Sequence, residues 1–216
     1  MAAGNPDGGI IGLTKGRMEA LSDGIFAFAM TLLVIGLNIP DKATLVQSTG
    51  YAVSLLVSLR SDFIHYILAF LILGAVWLGH HIQFHSLRII DRNFVWLNLL
   101  TLLFVALLPF STSFSSDLSE VPIAAVVFEA NLFAIGVGMS CQWQYATRGH
   151  RLTGPDLDPA YIRAVRRRAL ILPGVSLICI LVAMAGSTWS SAIYITIPLV
   201  HGMVNRMADT KAGSVT

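Results

Sequence analysis

The sequence predicts an all-α integral membrane protein with six transmembrane helices. Hydrophobic residues make up 55% of the 216 positions and charged residues only 12%, which is about half the charged share of a soluble domain. The mean hydropathy is +0.72. Six apolar stretches, each near the ~20 residues that a helix needs to cross a bilayer, lie at about 18–38, 62–85, 94–112, 122–146, 168–186 and 188–205. Because no nucleotide-binding glycine motif or soluble module interrupts them, residues 1–216 are expected to form one transmembrane domain.

The positions of the basic residues predict how these helices are oriented. With both termini on the cytoplasmic side, twelve of the fourteen Lys and Arg residues lie inside, and only Lys42 and Arg60 lie outside. Such an excess of Lys and Arg is typical of cytoplasmic loops. The leader 1–16 is polar and Gly-rich, and the apolar stretch after it is too long for a cleavable signal. We therefore expect a multi-pass protein that keeps its first helix.

Two connections carry features of their own. Residues 41–59 follow Pro40 and are moderately apolar, which predicts a short interfacial helix on the outer side. The longest inner connection, 147–168, is predicted to be a loop because it is rich in turn residues. It ends in the basic cluster Arg166, Arg167 and Arg168. We expect this cluster to anchor the topology, with specific binding of anionic lipid as the alternative.

The first predicted helix carries different residues on different faces. At about 100° per residue, one mainly apolar stripe consists of Arg17, Leu21, Gly24, Phe28, Leu32 and Ile35. This stripe either lines a pore or packs against lipid and other helices, and periodicity alone favours packing. Ser22 and Asp23 lie off the stripe. If the stripe lines a pore, these two residues face neighbouring helices, where an intramembrane carboxylate needs partners.

Candidate partners for Ser22 and Asp23 lie at the end of the second helix. Because that helix runs inward, its last turns end at the membrane level of Arg17 and Asp23. We predict a hydrogen-bonded cluster, since polar groups at this depth must be paired; beyond Ser22 and Asp23 its members are His80 or His81, Trp96 and Asn98. Three alternatives remain: a metal site using the i,i+4 pair His81 and His85, a proton relay, and pH sensing by the histidines. We expect no metal or other cofactor.

Two further residue types bear on function. Glu129 lies within the fourth predicted helix, where a carboxylate indicates either a functional role or pairing with a polar group on another helix. Cys141 and Cys179 fall within predicted helices and are expected to pack as small side chains. The spacing of Ser22, Asp23 and the histidines does not suggest a nucleophile with its base and orienting group. The chain is therefore not expected to be an enzyme.

These residues resemble the prokaryotic branch of the lysosomal potassium channel family, transmembrane protein 175. The resemblance is strongest over 17–110, and it rests on the stretch from Arg17 to Gly24 and on Trp77, His80, His81, Trp96, Asn98 and the Leu-Leu-Pro at 107–109. The family motif on the first helix is Arg-x-x-x-Phe-Ser-Asp. The resemblance implies a homotetramer of six-helix subunits in the bacterial inner (plasma) membrane. Its first helices would line a central pore that has no carbonyl filter.

The resemblance also assigns roles by position. The pore constriction falls on Phe28, Leu32 and Ile35, with Thr31 beside the first layer. The family's inner-end polar anchor falls on Arg17, Ser22, Asp23, Trp77, His80 and His81. The chain departs from the family at Leu21, where the family has Phe, and at Phe28, where relatives carry an aliphatic residue.

The implied function is passive, potassium-selective conduction through a hydrophobic constriction. A ring formed by one apolar side chain from each of four subunits favours potassium, because potassium loses its water at a lower energetic cost than sodium. The selectivity of such rings should be modest. The implied partners are K+ ions, membrane lipids and the other copies of the tetramer, with no nucleic acid. The alternative is a secondary transporter or proton-conducting carrier that uses Glu129 and the histidines. Paired inverted halves would support a carrier, and none is visible in the sequence.

Overall fold

The computed structural model describes residues 14–37, 49–187 and 190–196. These residues form the α-helices α1 (Lys15–Leu32), α2 (Thr49–Ser58), α3 (Arg60–His85), α4 (Arg92–Asp117), α5 (Pro122–Thr147), α6 (Pro159–Ala169) and α7 (Ile171–Met184). Short 3₁₀ turns cover Leu33–Gly36, Arg148–His150 and Ser190–Thr196. The described part of the chain is therefore helical almost throughout.

Five described segments are long and apolar enough to cross a membrane. They are Lys15–Gly36, Arg60–His85, Arg92–Asp117, Pro122–His150 and Pro159–Met184. Each overlaps one of the first five predicted helices, whose existence is thereby confirmed. The sixth predicted stretch, 188–205, lies outside the described residues except for the turn Ser190–Thr196.

One connection between the long helices has the structure predicted from the sequence, and another does not. A short helix is predicted within 41–59, and α2 lies there. The sequence predicts a loop over 147–168, and this is wrong at its end, because α6 begins at Pro159. The side chain of Asp158 accepts a hydrogen bond from the backbone N–H of Ala160 at 2.7 Å, and proline is favoured in a first helical turn. These two residues are a helix start, and the high polarity of α6 concealed it.

The bundle is organised around α4 and α5. Helices α1 and α3 pack on α4, and α7 packs on α5. The main core is apolar and draws residues from α1, α3, α4, α5 and α7, including Phe26, Leu73, Val105, Phe128 and Cys179. Apolar side chains are buried only where two helices pack against each other. Wide apolar faces therefore remain exposed on the outside of the single chain.

Two glycines allow α5 to approach its neighbours closely. A Cβ atom at Gly138 would collide with the side chain of Thr101 on α4. A Cβ atom at Gly136 would lie 2.5 Å from Cδ of Pro173 on α7. Contacts this short cannot be accommodated without movement of the helices, because protein interiors are closely packed. The spacing of the bundle therefore depends on these two positions.

At one end of the bundle, polar contacts join α4 to α5 and α1 to the end of α3. Asp91 caps α4 by accepting from the backbone N–H of Phe94 at 2.8 Å. Its second carboxylate oxygen accepts from the hydroxyl of Tyr145 on α5 at 2.6 Å. The ammonium of Lys15 on α1 donates to the carbonyl of Leu87, just after α3, at 2.7 Å. The Lys15 contact fixes where α1 starts relative to the end of α3.

Candidate functional site

Helix α1 presents one face to the bundle and another to the outside. Its buried residues are Met18, Ser22, Phe26 and Ala29, spaced by three or four, and Leu33 continues that face into the 3₁₀ turn. This spacing follows the helical period. The opposite face carries the apolar stripe identified from the sequence.

The stripe is exposed in the single chain. Leu21 is 45% exposed, Phe28 64% and Ile35 69%. Thr31 is also exposed, and Leu32 is partly buried. The hydroxyl of Thr31 donates to the backbone carbonyl of Phe28 at 2.8 Å, so it is satisfied within its own helix. Of the four residues carried over as a constriction, Phe28, Thr31 and Ile35 thus point away from the core, and Leu32 is partly covered.

A fully buried polar network lies on the other side of α1. The amide nitrogen of Asn98 on α4 donates to Oγ of Ser22 at 3.0 Å. The amide oxygen of Asn98 lies 2.9 Å from Nε2 of His80 on α3, and since that oxygen can only accept, His80 is the donor. Oγ of Ser22 donates in turn to the carbonyl of Met18 at 2.9 Å. Three helices are therefore joined through one asparagine.

Aromatic packing holds the histidine of this network in place. The His80 ring stacks on Phe84, with ring centroids 4.4 Å apart. It also contacts Phe26 of α1 at a centroid distance of 5.4 Å. The imidazole is almost completely buried. A polar group in such surroundings is costly unless it is hydrogen-bonded, so Asn98 is what makes a buried histidine tolerable here.

A second set of contacts pairs α1 with α3 in antiparallel register. The indole N–H of Trp77 donates to Oδ1 of Asp23 at 2.9 Å. Nδ1 of His81 lies 3.6 Å from Oε1 of Glu19. The two pairs are four residues apart on each helix, which is about 6 Å along its axis. Residue numbers fall on α1 where they rise on α3, as expected for antiparallel helices. They form two rungs at the half-exposed edge of the bundle.

Two residues predicted for the cluster or for the family's polar anchor lie apart from these contacts. Trp96 is 62% exposed and makes no hydrogen bond within the described ranges. Arg17 is exposed, and its guanidinium has no ion-pair partner among the residues that the structure describes. Sequence reasoning missed Glu19. The signal that could have found it is the i,i+4 spacing of Glu19 and Asp23, which matches that of Trp77 and His81 on an antiparallel neighbour.

Glu129 forms a separate polar site on α5. Its side chain is completely buried. One carboxylate oxygen accepts a hydrogen bond from the hydroxyl of Ser190, and the other has no partner among the described residues. Nearby in sequence, the amide of Asn131 donates to Ser111 on α4 at 3.1 Å. The buried carboxyl group of Glu129 thus has one oxygen without a hydrogen-bond partner among the described residues.

The described residues contain no group of three or more His, Cys, Asp and Glu side chains arranged to hold a metal ion. Within the same residues the two cysteines are free thiols, Cys141 exposed and Cys179 buried. Both lie on membrane-spanning segments, Cys141 on α5 and Cys179 on α7.

Comparisons with known proteins identify relatives over most of the chain. Residues 17–109 match the family described as endosomal/lysosomal potassium channel TMEM175. A protein named potassium channel from Streptomyces collinus is 31% identical over 158 residues, covering 71% of this chain and 75% of that protein. A protein of the same name from Chamaesiphon minutus is 30% identical over 179 residues, covering 82% of this chain and 87% of that protein.

A solved structure has a similar fold. It is described as a lysosomal potassium-selective channel TMEM175 homolog from Chamaesiphon minutus. It superposes with a TM-score of 0.73 at 25% identity, covering 90% of this chain and 97% of that one. The rat protein named endosomal/lysosomal proton channel TMEM175 is 28% identical over 201 residues, and this chain spans only 39% of its length.

These likenesses settle the class of protein. Both bacterial relatives are aligned over at least three quarters of their own length, and the apolar helices make this a multi-pass membrane protein. The matched family is one of ion channels, which confirms that the chain is not an enzyme. The chain belongs to the TMEM175 family of ion channels.

Proposed function

We propose that the protein is a passive, potassium-selective channel of the bacterial plasma membrane, assembled as a homotetramer of six-helix subunits. The bacterial relatives are named potassium channels, and the similar solved structure is described as potassium-selective. The orientation with both termini in the cytoplasm follows from the positions of Lys and Arg. Residues 1–216 act as one channel domain in this proposal.

The observation that carries the proposal is the division of α1 into two faces. One face is bound to α3 and α4 through Ser22 and buried apolar residues. The other face carries Phe28 and Ile35, both more than 60% exposed in the single chain. A helix that is held by polar contacts on one side and leaves bulky apolar side chains free on the other is suited to line an axis. Four such helices would bring the free stripes together.

The constriction then consists of stacked apolar layers. Phe28 and Leu32 lie four residues apart on one stripe, and Ile35 follows on the 3₁₀ turn. At 1.5 to 2 Å of rise per residue, the three layers cover about 10–12 Å of the ion path. An ion that crosses them must leave part of its water behind, and this favours potassium over sodium. Thr31 supplies a hydroxyl beside the first layer.

The inner-end anchor keeps this stripe aimed at the axis. Ser22, Asn98 and His80 fix the rotation of α1 against α3 and α4, while Asp23 and Trp77 fix its height. His81 with Glu19 adds a second rung. Arg17, exposed at the inner end, would find its partner on a neighbouring copy. In this proposal the anchor residues bear on assembly, and ions meet only the stripe.

The test of this proposal is Leu32→Ala, with Val34→Ala as the matched control. Leu32 lies on the stripe, whereas Val34 is 48% exposed and lies about 160° from Leu32 and about 100° from Ile35 around the helix. Leu32→Ala should widen the constriction and raise sodium permeability relative to potassium. Val34→Ala should leave the ratio unchanged. Reversal potentials in bilayers under opposed potassium and sodium gradients measure this, and an unchanged value for Leu32→Ala contradicts the assignment.

A secondary transporter or proton-conducting carrier is the second candidate. It is favoured by Glu129, whose buried carboxyl group has an oxygen without a partner in the described part of the chain, and animal relatives are named proton channels. A channel shows unitary currents, while a carrier shows slow saturable uptake. Glu129→Gln should abolish proton uptake into vesicles if the carrier is right. If the channel is right, unitary potassium currents persist in that variant.

A further inference from the structure

We propose that a groove between α3, α5 and the junction of α6 with α7 binds one anionic phospholipid, whose phosphate is held by Arg168. The groove has a volume of about 410 Å³. Its walls are mainly apolar and include Val76, Gly79, Met139 and Leu172, with Gln83 and Arg168 as its polar residues. It opens on the outside of the bundle, where Leu78 is 53% exposed.

The shape of the groove follows from a break in the fifth membrane segment. Helix α6 ends at Ala169 and α7 begins at Ile171. Pro173 has no N–H to donate to the carbonyl of Ala169, and Oγ of Ser140 on α5 donates to that carbonyl instead at 3.0 Å. Because Gly136 allows Pro173 to approach α5 closely, the break is held against α5. The last turn of α6 then forms one wall of the groove.

The guanidinium of Arg168 makes no ion pair or hydrogen bond with the residues that the structure describes. Arg168 is half-buried, and its Nε atom is buried without a hydrogen-bond acceptor. Within the described ranges no carboxylate lies at ion-pair distance from it. A buried guanidinium donor is expensive to leave unpaired. Among the described residues that line the groove, Arg168 is also the only charged one, so the site calls for an anion.

The rest of the lining selects an amphiphile over a free anion. Apolar side chains surround the guanidinium, and the volume lies within the roughly 300–1,000 Å³ of small-molecule sites. A guanidinium pairs with phosphate oxygens through two parallel hydrogen bonds. Arg166 and Arg167 are exposed on the same helix and add attraction to an anionic bilayer surface. In the proposed orientation, the groove faces the cytoplasmic leaflet, with an acyl chain lying along α3.

Lipid retention by the purified full-length channel tests this proposal. Native mass spectrometry would follow phosphatidylglycerol and phosphatidylcholine titrated onto protein in neutral detergent. Arg168→Gln should weaken phosphatidylglycerol binding about tenfold, the loss expected for one charge-assisted pair. Arg167→Gln is the matched control, because it removes an exposed charge from the same helix turn and should have a much smaller effect. A Cβ atom at Gly79 would lie 3.8 Å from Met139, an ordinary contact distance. Gly79→Leu should therefore fill the groove and weaken the binding of both lipids.

Three outcomes would overturn the proposal. Arg168→Gln could bind phosphatidylglycerol as tightly as the unaltered chain, as it would if a neighbouring subunit covers the groove. Arg168→Gln and Arg167→Gln could weaken binding equally, which would mean diffuse attraction to the basic cluster. Inorganic phosphate could displace phosphatidylglycerol completely at equal concentration, which would mean an anion site with no use for the acyl chain. Gel filtration of each variant checks that it is folded, and none of these readouts depends on potassium conduction.

Discussion

The buried network around Asn98 provides the sharpest test of how α1 is held. Asn98 is completely buried and makes one hydrogen bond to Ser22 and one to His80. Asn98→Ala removes both. Ser22 keeps its bond to the carbonyl of Met18, so the cost falls mainly on the orphaned His80. A buried polar group without its partner costs about 1–3 kcal/mol, whereas hydrogen bonds between membrane helices average only about 0.6 kcal/mol.

Weighing these two values gives an expected loss of about 2 kcal/mol for Asn98→Ala. The larger value applies because aromatic rings enclose His80 on both sides and leave it little room to find another partner. Ser22→Ala removes one bond and almost no volume, and should cost about 1 kcal/mol. The two substitutions share one hydrogen bond, so the double variant should fall short of their sum by about 1 kcal/mol.

The assay is SDS-driven unfolding of the purified channel in mixed micelles, followed by far-ultraviolet circular dichroism. Protein concentration must be held constant, because subunit association adds to apparent stability. Thr112→Val is the matched control: its buried hydroxyl donates only to the carbonyl of Leu108 in its own helix, at 2.8 Å. If Asn98→Ala costs no more than Thr112→Val, or if the double variant is simply additive, the network does not hold α1.

Two further predictions concern assembly and helix spacing. Asp23→Asn should lower the fraction of tetramer in gel filtration while leaving the ratio of potassium to sodium permeability unchanged, because it weakens the bond from Trp77; normal tetramers with altered selectivity would show that Asp23 faces the ion path. Gly138→Ala should cost about 1–3 kcal/mol, because the added methyl collides with Thr101. Its control is Gly174→Ala, where nothing lies within 4 Å, and this change should be neutral or stabilise by up to about 1 kcal/mol. Similar unfolding of both glycine variants would refute the close packing of α4 on α5.

Residue contacts were harder to predict than helix faces, and the histidines illustrate this. The sequence leaves open whether His80 or His81 joins Ser22 and Asp23. In the structure His80 is buried against Asn98, while His81 lies at the edge beside Glu19. Adjacent residues of a helix differ by about 100° in direction, so the choice depends on how α3 is rotated against two neighbours. Trp96 shows the same dependence on rotation, because it is exposed on α4 while Phe94, two residues earlier, is buried.

What the sequence determined by itself is the existence of five long apolar helices and the two faces of α1. These follow from hydropathy and the helical period, which are properties of one segment at a time. Tertiary structure decided the antiparallel register that pairs Glu19 with His81, the helix start at Pro159, and the groove beside Arg168. Each of these depends on the offset and rotation between helices. That geometry is set by side chains from several segments packing together, as where Gly136 receives Pro173, and no single segment encodes it.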